Sequence, residues 1–174
     1  MQVTLSKNMS DLARFRDAQD ALHAGFTVAL RELQAGRKTS HWIWYVFPQL
    51  AGLGRSSTAV YYGVAGAEEA ADYLRDQVLG EGLIAAAMVV RAHLADPDAP
   101  AVRLEDLMGS EIDALKLVSS MTLFRRVAKA LCAADPQPRF VAMADHADAI
   151  LAAAARQGYE PCTYSEEHLR GLRG

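Results

Sequence analysis

The chain has 174 residues, 51% of them hydrophobic, and 18 Lys plus Arg against 21 Asp plus Glu leave a formal charge of −3. That length favours a single domain, and the apolar half suffices for a sizeable core. A charged share of 22% with so small a net charge excludes an acidic tail, a polyelectrolyte and sequence-independent binding to double-stranded nucleic acid. The apolar share is rich in Ala, the best helix former, so composition leans all-α.

Residues 1–9 read as a lead-in without a run of signal-peptide length, and no stretch approaches about 18 uninterrupted apolar residues. The spacing then predicts one helix over 10–35. Ser10 is its N-cap, Leu12, Phe15, Leu22, Phe26, Ala29, Leu30 and Leu33 form its apolar face, and Gly36 is its stop. The crowded run Trp42-Ile43-Trp44-Tyr45-Val46-Phe47 fits either a short helix capped by Ser40 and ended by Pro48 or a buried strand; the helix is favoured because no partner strand is evident. Leu50 to Ser57 reads as a loop, and Thr58 to Val64 is ambiguous. Helices are expected over 67–75 and 78–94, with a loop at Asp96-Pro97-Asp98-Ala99-Pro100. One helical turn is expected over 104–108. A central helix capped by Ser110 then runs to about Ala133, apolar on most sides and so buried, and a last helix spans 139–156. The expected fold is a compact, single-domain, all-α array of about 6–8 helices over 10–156, with 157–174 as a C-terminal tail ordered only in part.

Cys132 and Cys162 have no CxxC partner and no histidine at ligand spacing, so no metal site and no cofactor is expected. Reduced thiols and the absence of a leader point to a cytoplasmic protein with no membrane partner, a monomer or small homo-oligomer. HExxH, Walker, GxGxxG and GxSxG patterns are absent, which excludes the commonest zinc-hydrolase, NTPase, dinucleotide and serine-hydrolase classes.

Two clusters could carry chemistry. In the central helix, Asp113, Lys116, Ser119, Ser120 and Thr122 make a polar seam. Either Asp113 is a general base and Lys116 an anion contact, or the two form an i,i+3 surface pair with the hydroxyls bonded back to the backbone. In the second cluster, Arg31, Arg37, Lys38 and Arg55 lie among His41, Trp42, Trp44, Tyr45 and Phe47. Cations beside flat rings suit a stacked nucleobase with its phosphate held by Lys, in a nucleotide or single-stranded nucleic acid; alternatively the rings are core and the cations solvated.

The strings Asp11-Leu12-x-Arg14-Phe15-x-x-Ala18-Gln19, Glu32-Leu33-x-x-Gly36-Arg37-Lys38-x-Ser40-His41-Trp42-x-Trp44-x-x-Phe47-Pro48-Gln49-Leu50-x-Gly52-Leu53-Gly54-x-Ser56 and Asp113-x-x-Lys116-Leu117-x-Ser119-Ser120-Met121-Thr122-Leu123-Phe124 resemble the bacterial family called domain of unknown function 1810. The resemblance covers roughly residues 9–155. It implies a multihelical fold and hands over no activity. Its pattern includes Gln19, Lys38, His41, Trp42, Trp44, Gln49, Ser56, Tyr61, Asp113, Lys116, Ser119, Ser120 and Thr122, which favours a pocket. The chain departs from the family at Ala144 to Leu151, where members tend to show a Gly and an Asp before Thr-Leu.

The layout is also similar, in general terms, to helical N-glycosidases acting on ADP-ribose-like or ribosyl-phosphate substrates. The leading expectation is therefore a pocket for a small anionic, nucleotide-like ligand. If it hydrolyses an N-glycosidic bond without metal, Asp113 and His41 are the catalytic residues. Lys38, Trp42, Trp44, Gln49, Ser56, Tyr61, Lys116, Ser119, Ser120 and Thr122 would bind the ligand. The rival is a non-enzymatic helical interaction module with a structural aromatic core.

Overall fold

A computed structural model describes residues 11–95 and 102–172. Among them are ten helices: α1 (Ala13–Gln19), α2 (Phe26–Gln34), α3 (Ile43–Val46), α4 (Ser57–Tyr61), α5 (Ala67–Arg75), α6 (Gln77–Ala95), α7 (Leu104–Met108), α8 (Glu111–Ala134), α9 (Pro138–Arg156) and α10 (Thr163–His168). The fold is all-α, as composition and periodicity predict, and six of the ten helices have seven residues or more. The expected Ser10 cap and the Asp96–Pro100 loop lie outside the described residues.

The helix expected over 10–35 is instead two helices. Leu22 keeps the apolar period but is 89% exposed, because the chain leaves α1 at Asp20 and re-enters α2 through Gly25. A side chain at Gly25 would collide with backbone, its Cβ lying 2.1 Å from the Ala21 carbonyl oxygen. The aromatic run resolves as the single turn α3, ended before Pro48. Ser40 does not cap it but bonds to Glu32. Residues 57–61 form α4, whose N-cap Ser56 accepts from the Ala59 amide at 3.1 Å. One isolated parallel bridge, Leu50 to Val64, closes the loop between α3 and α5.

The core is built around α8. Leu117, Val118, Met121, Phe124, Ala128 and Leu131 are among its buried residues, and α9, α5, α7, α10 and α3 pack around it. The helix α6 is long and apolar enough to cross a membrane. Its buried stripe, Leu79, Leu83, Ala86, Ala87 and Val90 among others, lies in the common core, where it packs against α9, α5 and α2. Small buried residues along α6 and α9 permit the close approach of those two helices.

A buried amide sets the position of α3. Gln19 Nε2 donates to the Tyr45 carbonyl oxygen at 2.7 Å and to Tyr73 Oη at 2.9 Å, and the Tyr73 hydroxyl donates to the same carbonyl at 3.1 Å. Backbone that no regular element satisfies is thereby hydrogen-bonded, as buried polar groups require. The C-terminal residues do not stand apart from this body. Helix α10 packs on α8, Leu169 is 2% exposed, and Glu166 pairs with Arg125 and Arg126.

Candidate functional site

Two convergent clusters lie where α3 and the loop before it meet the start of α8. The first is centred on Glu32, near the end of α2. Its carboxylate accepts from the Thr39 and Ser40 amides at 2.8 and 2.9 Å, from both of their hydroxyls, and from the Trp42 indole Nε1 at 2.8 Å. Burial alone would raise its pKa. The donors from Ser40, Thr39 and Trp42 together outweigh that and hold it at about 2. Glu32 thus folds the 37–42 segment over the end of α2 and places Trp42, fully buried, in the core against Phe47.

The second cluster is a lysine–carboxylate–lysine bridge. Lys38 Nζ lies 2.6 Å from Asp113 Oδ2, and Lys116 Nζ lies 3.0 Å from Asp113 Oδ1. The Lys38 side chain is only 5% exposed. Its backbone amide donates to the Leu107 carbonyl at 2.8 Å, and Gly109, with φ +79°, lets the chain pass the Lys38 carbonyl. Burial pushes the Asp113 carboxyl up, but the two ammonium groups overcome this and depress it below its ordinary value. The Ser110 hydroxyl accepts from the Asp113 amide, the expected N-cap, which fixes the first turn of α8. The two ammonium groups also face the indoles: Lys38 Nζ is 5.2 Å from the Trp42 ring centroid and Lys116 Nζ is 4.4 Å from that of Trp44.

Beside this bridge lies a cleft of about 430 Å³. It is lined by Trp44, Gln49, Arg55, Ser56, Lys116 and Ser119, with Leu53, Gly54, Ala59, Ile112 and Leu115 completing the walls. Among the described residues no carboxylate lines it, and Arg55 has no ion-pair partner. The cleft therefore presents two cations, an indole and short polar groups.

Of the residues expected at a site, Trp44, Gln49, Ser56, Lys116 and Ser119 converge on this cleft. Lys38 and Asp113 lie behind it, coupled through Lys116. Trp42 is core. His41 and Tyr61 are exposed and do not line the cleft. Ser120 is buried, its hydroxyl without a hydrogen-bond partner among the described residues. Thr122 is buried too, donating to the Val118 carbonyl at 2.8 Å and accepting from the Cys162 amide at 3.1 Å, so it anchors the C-terminal segment.

The sequence places Arg55 in the cation cluster without assigning it a ligand, and gives Leu53, Ile112 and Leu115 no site role. The only signal for Arg55 was local positive charge. Ile112 and Leu115 read as core on a helix apolar on most sides, yet they are 66% and 49% exposed, on the cleft wall.

Fold and site define an all-helical domain with a charge-paired floor beneath a cationic, indole-edged cleft. The chain belongs to the family described as protein of unknown function (DUF1810), whose model matches residues 9–145. A crystal structure of a conserved hypothetical protein from Mycobacterium tuberculosis is 34% identical. It matches with a TM-score of 0.65 over 90% of this chain and 94% of that one. No curated protein matches the chain.

Proposed function

We propose that the cleft between α3, α4 and α8 binds a small anionic, nucleotide-like ligand. The observation that carries this reading is a concave site with Arg55 and Lys116 in its walls, no carboxylate among the described lining residues, and the Trp44 indole at one edge. A guanidinium without an ion-pair partner among the described residues and an ammonium stacked on an indole favour an anion attached to a flat ring. The cleft volume of about 430 Å³ falls in the range of small-molecule sites.

Binding is better supported than hydrolysis. A general base must reach the attacking water, and Asp113 does not line the cleft, each of its oxygens being paired with a lysine behind it. Lys38 and Asp113 then act by holding Lys116 and the start of α8 in place. A cytoplasmic location belongs to the same proposal and fits the free thiols Cys132 and Cys162.

One observation favours an interaction module instead: Val60, Tyr61, Ile112 and Leu115 are exposed apolar residues on α4 and α8. The two readings separate in a thermal-shift and calorimetric titration with AMP, ribose 5-phosphate and ADP-ribose on the wild type and Arg55→Ala. At 100 times its dissociation constant a bound ligand adds about 2.7 kcal/mol of apparent stability. Binding that Arg55→Ala weakens supports the pocket; no response to any of the three supports the module.

A further inference from the structure

We propose that the ligand is a phosphate monoester whose flat, uncharged, hydrogen-bonding end lies in a second cleft, walled by residues 158–164. This rests on the anion-binding reading above and adds the other half of the ligand. The second cleft, of about 420 Å³, shares Leu53, Leu115 and Ser119 with the first, so the two meet along one wall. Its remaining lining includes Tyr159, Glu160, Thr163 and Tyr164 and, among the described residues, no Lys or Arg.

The two clefts differ in charge. The first offers Arg55 and Lys116; the second offers aromatic rings, hydroxyls and one carboxylate, Glu160. A second anionic group would meet Glu160 with no Lys or Arg among the described lining residues to offset it, whereas a nucleoside offers a ring face and hydroxyls to Tyr159, Thr163 and Tyr164. The charge pattern therefore orients the ligand, phosphate toward Arg55 and base or sugar toward the C-terminal segment.

The second wall is fixed in place. Tyr164 Oη donates to the Ala51 carbonyl at 2.9 Å, tying α10 to the loop that carries Leu53 and Arg55. The Cys162 amide donates to Thr122 Oγ1 at 3.1 Å, and Leu169 closes the packing beneath with 2% exposure. A preformed wall loses little entropy when a ligand docks. Residues 158–164 also lie beyond the 9–145 family match, so selectivity for the uncharged end resides in a part of the chain that the family model does not cover.

The test is a calorimetric comparison of inorganic phosphate, ribose 5-phosphate and AMP on the wild type, Arg55→Ala and Thr163→Trp. Thr163 is exposed at the cleft wall, so the indole obstructs the second cleft without entering the core. On the wild type, AMP is expected to bind at least about tenfold tighter than inorganic phosphate, and Thr163→Trp to erase that advantage while phosphate binding persists. A second variant, Glu160→Lys, should raise the affinity for adenosine 3′,5′-bisphosphate relative to AMP. Equal affinities for phosphate and AMP, an AMP advantage that Thr163→Trp leaves untouched, or a bisphosphate-to-AMP ratio that Glu160→Lys does not raise would overturn the two-cleft proposal and leave the anion site standing. Failure of all probes to bind would overturn both.

Discussion

The Lys38 ammonium stands 2.6 Å from Asp113 Oδ2 with its side chain 5% exposed, while Lys116 reaches the other oxygen from a position 20% exposed. The bridge is therefore asymmetric: one lysine is buried with Asp113 as its ion-pair partner, and the other is partly hydrated.

Removing Asp113 strands a buried ammonium, whereas removing Lys38 leaves Asp113 still paired with Lys116. Breaking a buried pair from the side that leaves an uncompensated charge costs about 3–5 kcal/mol. Asp113→Ala is expected to lose that much, and Lys38→Met only about 1–2 kcal/mol, since the remaining carboxylate keeps a partner and some water. Urea unfolding of the two variants measures the difference. Equal losses would mean that Lys38 is hydrated in solution and that the bridge does not organise the site.

Glu32 makes stability depend on acid. Its folded pKa, about 2, lies below the ordinary 4.5, so the native state binds fewer protons than the unfolded chain and stability rises with pH in that interval. The contribution is fully present above about pH 4.5 and is lost as pH falls through about 2. Glu32→Gln should cost about 2 kcal/mol at pH 7, because an amide offers the surrounding donors one acceptor oxygen and a repelling NH₂. The gap between wild type and variant should narrow steadily as the pH is lowered from 5 toward 2. Asp113 and Asp76, also held below their ordinary values, shift both proteins alike. Denaturation at several pH values checks this, and a constant gap would refute it.

Gly109 is where the two clusters are brought together. Its φ of +79° is one that L side chains rarely adopt, and a Cβ there would sit 2.6 Å from the Lys38 carbonyl oxygen. Gly109→Ala is expected to cost about 2 kcal/mol from strain. It should also displace Lys38 relative to Asp113 and weaken the binding proposed for the cleft. Gly158→Ala is the control: its φ is +90°, but nothing lies within 4 Å of the added carbon, so it carries the backbone strain without the displacement. A Gly109→Ala loss no larger than the control's would show that the approach to Lys38 is not tight.

Much of the fold was legible because most helices here bury one face. The helix over 67–75, the single turn at 104–108 and the Ser110 cap of α8 are all found where periodicity and capping place them. Periodicity failed at Leu22, where a side chain in register meets solvent because the chain turns before Gly25, which packs on the Gln19 and Ala21 carbonyls, a local backbone event with no apolar signature. The site was legible in part. Lys38, Asp113 and Lys116 were named and do meet. Trp42 and Trp44 looked equivalent, but within a single helical turn one indole faces the core and the other edges the cleft. Glu32 gave no warning of its role, since its five donors come from residues seven to ten positions later, folded back onto it.

The C-terminal residues read as a partly ordered tail, yet Leu169 is 2% exposed and Glu166 forms ion pairs with Arg125 and Arg126 of α8. Leu169→Ala is expected to lower stability by about 2–4 kcal/mol, the cost of emptying a buried leucine site. Glu166→Gln, whose partners Arg125 and Arg126 are only partly buried, should cost less than about 1 kcal/mol. The two effects bear on function because α10 carries Tyr164, which hydrogen-bonds to Ala51 and lines the second cleft. Loosening α10 should then raise hydrogen exchange at residues 50–54 as well as at 159–172. Exchange confined to the C-terminal residues would mean that Tyr164 does not couple the two walls.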